Sequence, residues 1–180
     1  VNGQWYIFHH RQTHKSTFSR QACAEKIRIL PDGSIPQVEC TSLGLREGLL
    51  PANGTYPALI CCDLTNGHMP HCTNTMLEEE IPCITHDGEE HFITDITEGT
   101  VIGYKYFDFD GTYTLTVTYR SSGQGMLEIS DGERALGQIA CASAKDWSKA
   151  STSISCQGKT ALFFTWHGEG AGELLEFSLG

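Results

Sequence analysis

The sequence predicts an all-β protein: an antiparallel β-sandwich of jelly-roll type, preceded by strands that belong to a separate sheet. Two observations carry this. No segment of ten or more residues sets apolar side chains at i, i+3, i+4 and i+7, so the helical period is missing. Short alternating or β-branched runs recur instead, punctuated by turn pairs about every 8–12 residues, as in sandwiches and barrels.

The first elements are Trp5 to His10, Phe18 to Ile29 and Gln37 to Thr41, three strands of which the last two are joined across Pro31-Asp32-Gly33-Ser34. With the glycine-bearing exit from Gly44 to Gly54 they look like most of one β-propeller blade, assigned to residues 1–50. A blade normally buries its faces against its neighbours. Alone it would expose Trp5, Tyr6, Ile7 and Phe8, each worth about 1.5–3 kcal/mol on burial. The segment is therefore expected to be docked: on the chain's own sandwich, on a second copy, or on a separate chain carrying the remaining blades. The opening residues lack a basic n-region, so they read as the middle of a fold and not as a signal peptide.

The sandwich is assigned to residues 55–180, with 65–90 as a long polar loop. Its clearest strand is Thr112 to Tyr119, where Tyr113, Leu115, Val117 and Tyr119 alternate with threonines. Tyr104 to Phe109 precedes it across an Asp110-Gly111 hairpin signal, and Met126 to Ser130 follows the Ser121-to-Gly125 turn, which predicts a meander. Asp131-Gly132 then turns the chain into Ala135 to Cys141, Lys145-Asp146 opens a loop, and Ser151 to Cys156, Thr160 to Trp166 and Leu174 to Leu179 complete the set.

Twelve basic against 22 acidic residues give a net charge of −10, which repels phosphate backbones and anionic lipid. Nucleic acid and membrane surfaces are therefore poor partners. The eight cysteines suggest a disulfide framework, but that pattern is diagnostic in short secreted chains. In this longer chain Cys23, Cys141 and Cys156 sit in apolar runs, where free cysteine packs as a small hydrophobe; many free thiols slightly favour a cytoplasmic setting, with an extracellular one left open. Cys61, Cys62, His68, His71 and Cys72 are the right types for zinc. Their spacing is not that of a finger, and adjacent cysteines on a strand face opposite ways.

The runs Tyr6-Ile7-Phe8-His9-His10-Arg11, Phe18 to Glu25 and Asp32 to Glu39, continuing through Thr41 to Leu45 and Gly54 to Ala58, resemble the last blade of family 43 glycoside hydrolases. Gly103 to Phe109 and the ending Leu174-Leu175-Glu176-Phe177 resemble a family 6 carbohydrate-binding sandwich appended to it. Together the two resemblances cover nearly the whole chain. They imply part of an enzyme of the β-xylosidase or α-L-arabinofuranosidase type, acting on xylan or arabinoxylan. Such enzymes invert the anomeric carbon with an acid and a base about 6.5–9.5 Å apart. In the family these residues, and a third carboxylate, come from the first three blades, so this chain is expected to hold no catalytic residue and to be inactive alone.

The resemblance further implies that His10, beside Arg11, lies at the active-site floor, near a central calcium that His10 reaches through water in the complete propeller. In the sandwich it places the sugar-binding rings at Phe92 and Trp147 and a hydrogen-bonding side chain near Glu173, with Phe and Glu standing where relatives have Tyr and Asn. Stacked aromatic faces and hydroxyl hydrogen bonds are the usual means of gripping a pyranose. The alternatives are that Trp147 plugs a sandwich edge and that Trp166 packs in the core. The positions that hold calcium in related modules read Cys61, Asp63 and Leu175, too few oxygens for that ion, so no metal is expected here. A stand-alone carbohydrate-binding module and a structural module without ligand are the competing functional readings.

Overall fold

A computed structural model describes residues 3–67, 72–73, 76–77 and 81–180. Its strands are β1 (Trp5–Thr13), β2 (Ser16–Ile27), β3 (Leu50–Pro51), β4 (Gly54–Pro57), β5 (Asp63–Thr65), β6 (Cys72–Thr73) and β7 (Met76–Leu77). There follow β8 (Cys83–Asp87), β9 (Glu90–Ile96), β10 (Val101–Ser121), β11 (Gly125–Ser130), β12 (Ala135–Cys141), β13 (Ala144–Gly168) and β14 (Gly172–Leu179). The one helical turn among the described residues is a 3₁₀ segment, Ala58–Ile60. The all-β antiparallel class is thus observed.

β1 and β2 form a hairpin in regular register from Trp5↔Ile27 to Gln12↔Arg20, with β7 and β6 added beyond β2. The larger sheet runs β12-β11-β13-β10-β14-β9-β8. Its spine is the pairing of β10 with β13, registered from Val101↔Thr165 to Ser121↔Ala144. The first part of β10 also pairs with β5 and β3, and its last part with β14, so the two halves belong to opposed layers. The layers meet at aromatic rings. Tyr104 of β10 and Phe164 of β13 lie 4.6 and 5.3 Å, centroid to centroid, from Phe177 of β14. Around them Ile102, Phe107, Phe109, Leu115, Ile129 and Leu162 are buried. The core also takes in Leu50 and Ala52, ahead of the expected boundary at 55.

Several expectations are corrected. Asp110-Gly111 makes no hairpin: both sides of it pair with β13, so Tyr104 to Tyr119 is one strand, and Gly111 lacks the positive φ that a primed turn needs. For the same reason Ser151 to Cys156 and Thr160 to Trp166 are one strand, continuous through Gly158, which pairs with Phe109, and Lys145-Asp146 lies inside it. The meander fails because β11 pairs with β12 and β13, never with β10. Gln37 to Thr41 forms no strand; Thr41 is held instead by the side chain of Glu25, and Pro36 interrupts any ladder from that side. The 65–90 loop contains β8, which pairs with β9 from Cys83↔Thr94 to Asp87↔Glu90; His68 and His71 lie outside the described residues.

Cys23, Cys40, Cys61, Cys62, Cys83, Cys141 and Cys156 are free thiols. Burial pushes Cys62 and Cys141 up to about 12, which leaves them protonated and unreactive at neutral pH. Trp166 is a core residue, 2% exposed.

Candidate functional site

The three side chains expected to grip a sugar do come together. Phe92 on β9 and Trp147 on β13 lie edge to face, with centroids 5.4 Å apart and planes at 72°, and Glu173 on β14 faces the same place. Trp147 belongs to a strand and not to the loop where the sequence reading placed it. Between them stands a residue that reading missed. Arg120, near the end of β10, sets its guanidinium 4.1 Å from the Trp147 ring centre and 5.0 Å from that of Phe92. Its Nε donates to Glu173 Oε2 in an ion pair.

The remaining polar atoms are engaged too. Thr94 Oγ1 donates to Glu173 Oε1 at 3.2 Å, and the Trp147 indole N–H donates to Glu90 Oε2 at 2.9 Å. Phe92 is only 4% exposed. A guanidinium over an aromatic face uses the same surface that a pyranose would stack on. The clamp is therefore occupied by the protein's own arginine. The sequence places Arg120 directly after the alternating Thr112-to-Tyr119 run, hence near a strand end, but nothing in it aims the side chain at Trp147.

Asp63, at one of the positions that the resemblance aligns with calcium ligands, is taken by a cation of the chain. Lys105 Nζ lies 2.9 Å from Asp63 Oδ2 and 3.5 Å from Glu39. Partial burial opposes that charge, but the hydrogen bond and attraction of Asp63 prevail and carry the ammonium pKa up to about 12.

His10 and Arg11 part company. Along a strand successive side chains face opposite sides. The Arg11 guanidinium turns to the sandwich, where Nη2 donates to the Leu59 carbonyl at 2.7 Å and Nη1 to Cys61 Sγ at 3.3 Å, while Nε holds Gln21 Oε1 at 2.8 Å. His10 lies on the other side with Tyr6 and Phe8, opposite Ala22. From this chain His10 alone would approach the implied central calcium; its neighbours on that face bring no carboxylate, so these residues do not constitute a calcium site.

The hairpin is fixed at three levels. At its tip the His14 N–H donates to the Ile84 carbonyl and Lys15 pairs with Asp95 at 2.8 Å; at mid-length stands Arg11; at its open end Glu25 holds Thr41, while the Ser42 N–H donates to the Lys105 carbonyl. Trp5, Phe8 and Phe18 are nevertheless 63, 65 and 78% exposed. Between hairpin and sandwich is a cavity of about 600 Å³, lined by His9, Arg11, Cys23, Glu25, Cys40 and Cys61 among others.

No family model matches the sequence. A protein named xylosidase/arabinosidase from Thermoclostridium stercorarium is 40% identical over 191 residues, covering 99% of this chain and 40% of the relative. The chain thus spans well under half of that relative's length. Among solved structures, a family 43 arabinoxylan arabinofuranohydrolase from Bacillus subtilis, solved with cellotetraose, aligns with 98% of this chain and 38% of its own at a TM-score of 0.61 and 19% identity. A family 6 carbohydrate-binding module from Clostridium cellulolyticum, solved with xylose, aligns with 72% of this chain and 98% of its own at 0.59 and 15% identity. Sequence and fold together identify the chain as a relative of part of a xylosidase/arabinosidase, built as a β-hairpin fastened to a β-sandwich of the family 6 carbohydrate-binding fold.

Proposed function

We propose that this chain is the C-terminal portion of a glycoside hydrolase of the β-xylosidase or α-L-arabinofuranosidase type, acting on xylan or arabinoxylan side chains and oligosaccharides. Residues 1–50 complete the last blade of its propeller, and the sandwich of 55–180 braces that blade. The acid and base lie on the remaining blades, and His10 contributes to the floor of the site they form. The observation that carries this reading is the asymmetry of the hairpin: one face is locked to the sandwich through Arg11, while Phe8 on the opposite face, and Phe18, stand exposed as a surface suited to neighbouring strands.

A second reading is a carbohydrate-binding module in its own right, favoured by the convergence of Phe92, Trp147 and Glu173. Arg120 weighs against it, because a ligand would have to displace a paired guanidinium. The test compares this chain with a longer protein that contains it and the upstream blades. The longer protein should hydrolyse aryl xylosides or aryl arabinofuranosides, and this chain should neither do so nor give heat with xylo-oligosaccharides. Turnover by the chain alone would overturn the proposal; binding heat that vanishes in Trp147→Ala would favour the second reading.

A further inference from the structure

His9, Glu25 and Cys40 come from three separate stretches, and no sequence spacing joins them. Folding nonetheless brings His9 Nε2 or Nδ1, a Glu25 oxygen and Cys40 Sγ within 4.8 Å of one another. His9 sits opposite Cys23, two positions from the Ile7↔Glu25 pair, so His9 and Glu25 share one face of the hairpin. Cys40 is delivered by the segment that Thr41 fastens to Glu25, through bonds of 2.6 and 2.7 Å.

Two features of this cluster favour a bound cation. His9 Nε2 is buried and makes no hydrogen bond among the described residues, where a buried ring nitrogen ordinarily finds a partner. Glu25 is 5% exposed, yet no ion pair to it forms among the described residues. A buried carboxylate is costly without a cation.

We propose that His9, Glu25 and Cys40 bind a zinc ion that clips the hairpin to the 40–44 segment. Imidazole nitrogen, thiolate and carboxylate oxygen are the donors zinc takes, whereas calcium and magnesium call for oxygen alone. Zinc bond lengths imply donors about 3.3–3.8 Å apart across a tetrahedral edge, so donors within 4.8 Å of one another draw in on binding. The fourth position opens on the cavity between hairpin and sandwich and takes water. Binding takes Cys40 as the thiolate, its proton passing to solvent, and one ring nitrogen of His9. The sequence reading expects no metal here because its zinc candidates are confined to 61–72.

The test is titration of the full chain with cobalt(II) as a spectroscopic stand-in, then competition with zinc. One equivalent should produce a thiolate-to-cobalt charge-transfer band that zinc abolishes. Cys40→Ser should remove the band, His9→Gln should weaken affinity at least about tenfold, and Cys72→Ser should leave it intact. Circular dichroism confirms that each variant is folded, and His9→Gln decides the matter should Cys40→Ser fail to fold. No band, a band that survives Cys40→Ser, unchanged affinity in His9→Gln, or a band lost in Cys72→Ser would each overturn the assignment.

Discussion

Replacing Arg120 with alanine should destabilise the fold by about 2–3 kcal/mol. The guanidinium lies 4.1 Å from the Trp147 centroid and 5.0 Å from that of Phe92, and both it and its partner Glu173 are about three-quarters buried. A cation over an aromatic ring contributes about 0.5–1 kcal/mol at the surface and about 2 when desolvated. The closer ring is worth about 1 and the farther about 0.5 on that scale, and a half-shielded ion pair adds up to about 1. Removal also strands the Glu173 carboxylate with Thr94 as its remaining donor, which pushes the cost towards the upper end. Urea unfolding followed by tryptophan fluorescence reads this directly, because Trp147 loses its stacked cation. With a slope of about 2 kcal/mol/M the midpoint should fall by about 1 M. Arg120→Lys should fall between, since an ammonium keeps the charge and loses the planar stack. An alanine variant within about 0.5 kcal/mol of the parent would show that the clamp is not held shut by this residue, and the argument against ligand binding there would fail with it.

Three further outcomes follow from other contacts. Arg11→Ala should release the hairpin from the sandwich, so that limited proteolysis cuts within residues 5–27 much sooner while the sandwich core stays protected; unchanged cleavage would show that the tip and the 40–44 segment suffice. Gly125→Ala should lower stability by about 1–3 kcal/mol or more, because a Cβ there would lie 2.2 Å from the Trp166 ring, and thermal unfolding checks it; an unchanged melting temperature would contradict this packing. The Asp131 carboxyl accepts the backbone N–H groups of Arg134 and Glu133 and the Arg134 guanidinium, which hold its pKa down to about 2. Its folded value is below the unfolded one, so the turn between β11 and β12 is supported fully above about pH 4 and loses that support as pH falls through about 2; a proton-carbon NMR titration giving an ordinary aspartate value would refute this.

Alternation made the strands legible and sheet crossing made them hard to delimit. The Thr112-to-Tyr119 period is real, with Leu115, Val117 and Tyr119 buried. Asp110-Gly111 misled because a turn dipeptide states what the backbone can do, and pairing with β13 on both sides decides what it does. At the clamp, the three aligned positions were readable from the resemblance. Arg120 was not, since its role comes from where β10 and β13 place it and not from any motif. Gln37 to Thr41 looked like a strand by composition, but Pro36 offers no N–H to a ladder. Thr41 is bound instead by a side chain of β2, its N–H and hydroxyl donating to the Glu25 carboxylate.

The long pairing of β10 with β13 has a mechanical consequence. These strands of 21 and 25 residues pass together from one layer to the other. Force applied along them in opposite senses would load many ladder bonds side by side, in shear, while force across them would open the bonds one at a time. Unfolding under load is governed by the barrier and not by the equilibrium free energy. The domain would therefore resist force along this axis far longer than its thermodynamic stability suggests.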